Sequence, residues 1–319
     1  MTFPDFNPRL LGGHALLAIH FAVVLTGLGA FPLAVVSEYI AGAKKKVFLK
    51  KFAQQVSLMG VLFVFAALLS VFGSMAYLHY TGAQDIRPWL TTLRPITSAN
   101  FGALGVTALF ATIYAFTWKG SRKAPGLHKL WGVLASLGTL ATLACPLSTE
   151  LMSMANRPLP GTVQELSTFL LSGMGSLFFA PLFLLTLTLA VAFAAAFGLV
   201  WMILRRGRDD WGRDYYSYAS RYCAGWAAAA SVAAAACTGW LFYTIQPTVA
   251  AASLGEMTRY FTMGGAGLAV LASLLWAVVL KAATPMRHKP TMVIAALCLL
   301  VAAMGMFETW AMTLLAATP

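Results

Sequence analysis

Apolar runs long enough to cross ~30 Å of hydrocarbon as helices follow one another along the whole chain. Eight can be marked, at about 11–41, 52–78, 99–118, 128–150, 169–204, 216–244, 259–282 and 291–315. Within each run the apolar residues are continuous. They do not alternate with polar ones over ~10-residue segments, as the strands of a membrane barrel would. The pattern predicts an all-α polytopic membrane protein of about eight transmembrane helices, with sequential neighbours packed antiparallel across short loops. The longest polar segments, 79–98 with its interfacial Trp89 and the Pro-rich 151–168, fall between spans 2 and 3 and between spans 4 and 5. A single integral membrane domain over 1–319 is expected, built as a first four-helix bundle (1–160) and a second (161–319). No residue-level repeat relates the halves. Pro32, Pro146 and Pro181 lie inside spans, where neighbouring helices can satisfy the freed carbonyls. The small-residue run 226–240 suits close helix contact.

Composition supports this reading. Of 319 residues, 60% are hydrophobic and 10% charged, too apolar for a soluble fold of this size to cover. The net charge of +12 raises nucleic acid as a partner, but its placement argues against that. The stretches "AKKKVFLKK", "WKGSRKAPGLHK", "RRGRDDWGRDYYSYASR" and "KAATPMRHKP", which follow spans 1, 3, 5 and 7, hold 17 of the 22 Lys and Arg. By the positive-inside rule these stretches are cytoplasmic and both termini lie outside. The first span has no basic region before it and exceeds a signal-peptide core, so it is read as a retained helix. Cys145, Cys223, Cys237 and Cys298 all fall in spans without a CxxC or CxxCH spacing. They read as packing residues, signalling neither zinc nor covalent haem attachment.

Ionisable groups inside spans are few, and in a membrane such groups point to function. They are His14, His20, Glu38, Glu150 and Glu308. Glu38 lies one turn from the cytoplasmic end near Lys44 and Lys45, so a surface ion pair is expected. Glu150 closes span 4 and is expected to reach water. His20 lies roughly 14 Å from the outer end of span 1, and Glu308 roughly 11 Å from the outer end of span 8, at the 1.5 Å rise of a helix. Met263 lies slightly shallower on the same side. Imidazole, carboxylate and thioether can all ligate iron, and His and Met are common haem axial ligands. The plainer alternatives are a core histidine bonded to a backbone carbonyl and a protonated carboxyl in an interhelix hydrogen bond. His14 is about 240° around the helix from His20, so the two cannot share one ligand. His79 ends span 2 at the outer surface, while His128 and His288 belong to basic stretches where surface roles are expected.

Taken in order, these residues resemble subunit I of cytochrome bd-type quinol oxidases. His20, Leu28-Gly29 and Glu38 match, without gaps, the start of that family. "HYTG" (79–82), "WKGSRK" (118–123), "ANRPLPG" (155–161) and "GRD" (207–209) also fit, as do "FTMGGAG" (261–267) and "MFETW" (306–310). The resemblance implies haem, b-type or d-type and one or two in number. It implies His20 and Glu308 as ligands of haem iron and Met263 at the position of the ligand methionine; His14, nearer the interface, is a secondary cofactor-binding candidate that the resemblance does not assign. It also implies a bacterial inner (cytoplasmic) membrane location, a second membrane subunit or a periplasmic cytochrome as partner, and quinone as a further one. The departures are specific. The family's fifth-helix histidine would fall near Phe183, and span 5 has no histidine. Span 3 lacks the family's glutamates, with Thr107 near one such position. The quinol-binding loop is cut to about 245–258, and the ninth helix is absent.

The function expected is therefore a haem-binding membrane electron-transfer subunit acting near the periplasmic face, with a divergent terminal oxidase as its fullest form. A haem-free structural or assembly subunit of a membrane redox complex is the first alternative. A transporter is the second, although paired charges and an inverted repeat are missing.

Overall fold

The structure is a computed structural model, described for residues 8–80, 94–207 and 211–317; for residues 8–17 the backbone alone is described. Nine α-helices follow in order: α1 (Pro8–Lys44), α2 (Val47–Tyr80), α3 (Arg94–Phe116), α4 (Pro125–Met154), α5 (Val163–Met174), α6 (Phe179–Arg205), α7 (Gly212–Ala251), α8 (Gly255–Lys281) and α9 (Lys289–Ala317). Short 3-10 turns occupy Thr117–Arg122 and Pro285–Arg287. All helices except α5 are long and apolar enough to cross a membrane, and the described residues contain no strand. The chain is a multi-pass helical membrane protein.

Two features depart from the sequence reading. The fifth apolar run is not one helix. It divides into the short α5 and the spanning α6, with Gly175, Ser176, Leu177 and Phe178 at the break. Thr162 caps α5: its hydroxyl accepts the Glu165 N–H at 3.2 Å, and the Glu165 carboxylate accepts the Thr162 N–H at 3.3 Å. This reciprocal capping box fixes the start of α5 independently of the apolar run. The outer connection expected over 245–258 is also far shorter. Helix α7 continues through Pro247 to Ala251, and α8 starts at Gly255, because helices extend past the apolar segments that reveal them. The outer segment 79–98, with Trp89, falls largely outside the described residues, as does Asp209 of "GRD".

Three tight connections share one device. The Lys46 N–H bonds the Ala41 carbonyl (3.0 Å), Arg157 bonds Met152 (3.1 Å), and Leu254 bonds Val249 (2.9 Å). Each bond closes over a left-handed residue: Lys45 (φ 51°), Asn156 (φ 49°) and Ser253 (φ 61°). This is the 6→1 bond of a Schellman cap. It folds the chain back within a few residues and forces antiparallel neighbours.

Helices α1 and α6 are the most enclosed spans and cross at Gly29, where any added Cβ would overlap the carbonyl of Ala190. On α2, Gly60 likewise receives Ala30 and Phe31 of α1; a Cβ there would lie 2.7 Å from that of Ala30. One continuous apolar core joins residues of all eight spans. Polar ties cross between helices toward the lysine-rich end, with Ser37 to Tyr222 at 3.1 Å, Tyr215 to Gln55 at 2.9 Å and Trp118 to Ser57 at 3.0 Å.

Candidate functional site

His20 is half-buried on α1, one residue beyond the exposed Ile19. Its Nδ1 lies 3.0 Å from Ser70 Oγ on α2, and the Ser70 hydroxyl also donates to the Ala67 carbonyl at 2.8 Å. With its proton directed there, Ser70 Oγ accepts from Nδ1–H. The ring nitrogen left with a lone pair is then Nε2, the arrangement in which a second partner fixes the tautomer of a ligating imidazole. The partner is a side-chain hydroxyl, not the backbone carbonyl considered above.

Glu308 is half-buried on α9. Its neighbour Phe307 stacks on Phe21, the neighbour of His20, with ring centroids 4.5 Å apart. Thr309, on the other side of Glu308, meets Thr262 of α8 at 3.2 Å between hydroxyl oxygens. His20, Glu308 and Met263 are thus each one residue from a direct interhelix contact in one layer through α1, α9 and α8. Within that layer the Met263 side chain turns outward and is 61% exposed. Glu150 of α4 is half-buried beside the indole of Trp310, at the periphery of this layer. The side chain of His14 lies outside the described residues. His79 is exposed at the end of α2.

No group of three or more His, Cys, Asp or Glu able to hold a metal ion exists among the described residues. The donor set fits a single axial imidazole, as haem iron takes, and not a multidentate metal site. At the position of the absent fifth-helix histidine, Phe183 stacks on Phe179 with centroids 5.4 Å apart. Thr107 is tied to Thr142 at 3.0 Å and to the Ala103 carbonyl at 2.8 Å.

A second polar cluster contradicts two expectations. Glu38 does not pair with lysines at the surface; it is 6% exposed and accepts a 2.9 Å hydrogen bond from the Tyr114 hydroxyl. His128 is not a surface residue either. It is 2% exposed, stacks against Tyr114, and places Nε2 3.7 Å from Glu38. Its Nδ1 lies 2.8 Å from Thr117 Oγ1, while Nε2 has no hydrogen-bond partner. The sequence held a usable sign of this. Pro125 is a helix-start residue, so His128 belongs to the first turn of α4 and not to a loop.

Tyr114→Phe is expected to lower stability by about 1–3 kcal/mol, because it strips a hydrogen bond from a buried carboxyl group. Tyr39→Phe, at a half-exposed ring, should change little. Adding Glu38→Gln to Tyr114→Phe should recover part of the loss, since the two sites are coupled. Thermal melting of the detergent-solubilised protein checks all three.

No protein-family model matches the chain, and no curated protein matches its sequence. Among solved structures it is similar to a chain of the bd oxidase from Geobacillus thermodenitrificans, with a TM-score of 0.65 and 13% identity. The match covers 94% of this chain and 84% of that one. The resemblance drawn from the sequence and this likeness of structure point the same way. At that identity the likeness is one of fold: the chain shares the helical architecture of that bd oxidase chain.

Proposed function

We propose that the protein is a haem-binding electron-transfer subunit of a membrane respiratory complex, working near the outer face. His20 would ligate the haem iron, Ser70 holds the tautomer of His20, and Glu308 lies in the same layer as His20. The observation that carries the reading is the Ser70–His20 contact beside the Phe21–Phe307 stack, which supports a ligand-competent imidazole and brings its helix against that of Glu308. When bound, haem supplies a one-electron couple and an iron that can hold a further ligand. The chain's own part is to hold Nε2 unprotonated, to keep the layer apolar through Phe21 and Phe307, and to keep the carboxyl group of Glu308 at that depth.

One haem is favoured over two. Phe183 and Phe179 pack together where a second ligand would be needed, and Met263 faces outward. Cytoplasmic proton delivery through α3 is not part of the proposal, because Thr107 is bonded within the helix pair and no carboxyl group lies there. The bacterial cytoplasmic membrane, with the lysine-rich end inside and both termini outside, is the proposed setting. A second membrane subunit or a periplasmic cytochrome is the proposed partner.

A reduced-minus-oxidised spectrum of the purified protein, with a pyridine haemochrome assay, tests the reading. A Soret band and a haem-to-protein ratio near one are expected. A preparation with neither would leave the haem-free structural subunit as the better account.

A further inference from the structure

We infer that the cavity at the lysine-rich end, between the α1–α2 turn and the start of α4, binds a phosphate-bearing anion. The cavity has a volume of about 330 Å³. Lys45, Lys46, Lys50 and Lys129 line it together with Ser121, and Glu38 is the one carboxylate in its wall. Four lysines against one carboxylate leave three formal positive charges. None of the four has a carboxylate within ion-pair distance among the described residues.

A further feature points to the same ligand. Val47 and Pro125, the first residues of α2 and α4, both line the cavity. The starts of two long helices, of 34 and 30 residues, therefore border it; Pro125 has no N–H to donate, but the positive dipole ends of both helices favour an anion. The Tyr114 hydroxyl holds Glu38 from the core side, and Lys50 and Lys129 lie within its electrostatic reach. The carboxylate thus sits in the wall without forming an ion pair with any of the four lysines. Retention of lysine at a cytoplasmic membrane face needs no cavity. Lys119 and Lys123 are exposed on the same face and do not line this cavity, which makes them the internal comparison. Basic pockets of this kind between membrane helices suit anionic lipid headgroups, and a soluble phosphate presents the same chemistry. The inference does not depend on haem.

The test is thermal melting of the full chain in two series. One uses nanodiscs of phosphatidylcholine with increasing phosphatidylglycerol; the other uses detergent micelles with increasing inorganic phosphate. Stabilisation by at least one probe is expected. Its midpoint should move about 5-fold per lysine removed, and about 30-fold for Lys50→Gln/Lys129→Gln. Lys119→Gln/Lys123→Gln should leave the midpoint within about 2-fold. A response to phosphatidylglycerol alone identifies a lipid phosphodiester, and a response to inorganic phosphate identifies a soluble ligand. If Lys50→Gln/Lys129→Gln does not fold, Lys45→Gln/Lys46→Gln carries the same comparison. Absence of stabilisation by both probes overturns the inference. So does an equal loss in the cavity and comparison pairs, which would mean a general surface-charge effect.

Discussion

Replacing Gly29 by alanine is expected to cost about 3 kcal/mol or more, and replacing it by leucine to abolish recovery of folded protein. The reason is local. A Cβ at this position would occupy the space of the Ala190 carbonyl, with the Ala190 carbonyl carbon and the Val191 nitrogen close behind it. These are backbone atoms of α6, so no rotamer change can make room and the two helices must separate. Inserting a methyl group into a well-packed core costs about 1–3 kcal/mol, occasionally more; here the obstacle is backbone, which places the cost at the upper end. Separating α1 from α6 would also loosen Leu28, Leu189 and Ala190, all 1% exposed or less. Gly73→Ala is the comparison, since a Cβ there meets nothing within 4 Å and gains helix propensity. Heat-ramp gel filtration of the two alanine variants should show Gly29→Ala aggregating many degrees earlier. Equal melting of the two would mean that α1 and α6 do not approach as closely as described.

Gly29 also shows what the sequence made legible. The Leu28-Gly29 pair contributed to the family resemblance as a spacing mark, and the structure gives it a physical role in the close crossing of α1 and α6. The eight spans and the antiparallel order were readable because the bilayer imposes a length and hydrophobicity that few other environments do. Helix ends were less readable. The break at Gly175–Phe178 lies where apolar residues continue across it, and α7 extends through Pro247 beyond the apolar run. Burial at the lysine-rich end was misread for a related reason. Glu38 and His128 sit among lysines in the sequence, and proximity along the chain suggested solvent. In the fold, Tyr114 from a third helix encloses both. That residue is 76 positions from Glu38; the start signal at Pro125 places His128 on a helix but not against either partner. Ser70 was missed likewise, being a common residue in an apolar helix, 50 positions from the imidazole it holds.

His20→Ala is expected to remove the haem signal of the purified protein, bringing the pyridine haemochrome ratio from near one to near zero. Added imidazole should restore part of the Soret band by filling the space the side chain leaves. The prediction is sharpened by Ser70, which acts on iron only through His20. Ser70→Ala removes the partner of Nδ1 and releases the ring to rotate and change tautomer, while His20 itself stays in place. Loss of such a second partner typically lowers affinity about 10–100-fold without abolishing binding. The expected order of haem retention is therefore wild type, then Ser70→Ala, then His20→Ala, with Ser70→Ala correctable by excess haem and His20→Ala not. A purely structural histidine would give a different result. Both variants would then shift melting temperature and leave the haem ratio and the Soret maximum where they were. Glu308→Gln separates the remaining roles: a direct ligand would cost the haem signal outright, whereas a carboxyl group beside the haem would keep the ratio and move the midpoint potential. Retention of the full ratio in His20→Ala, with an unchanged Soret maximum, would remove His20 from the site and leave the Phe21–Phe307 stack as a packing contact alone.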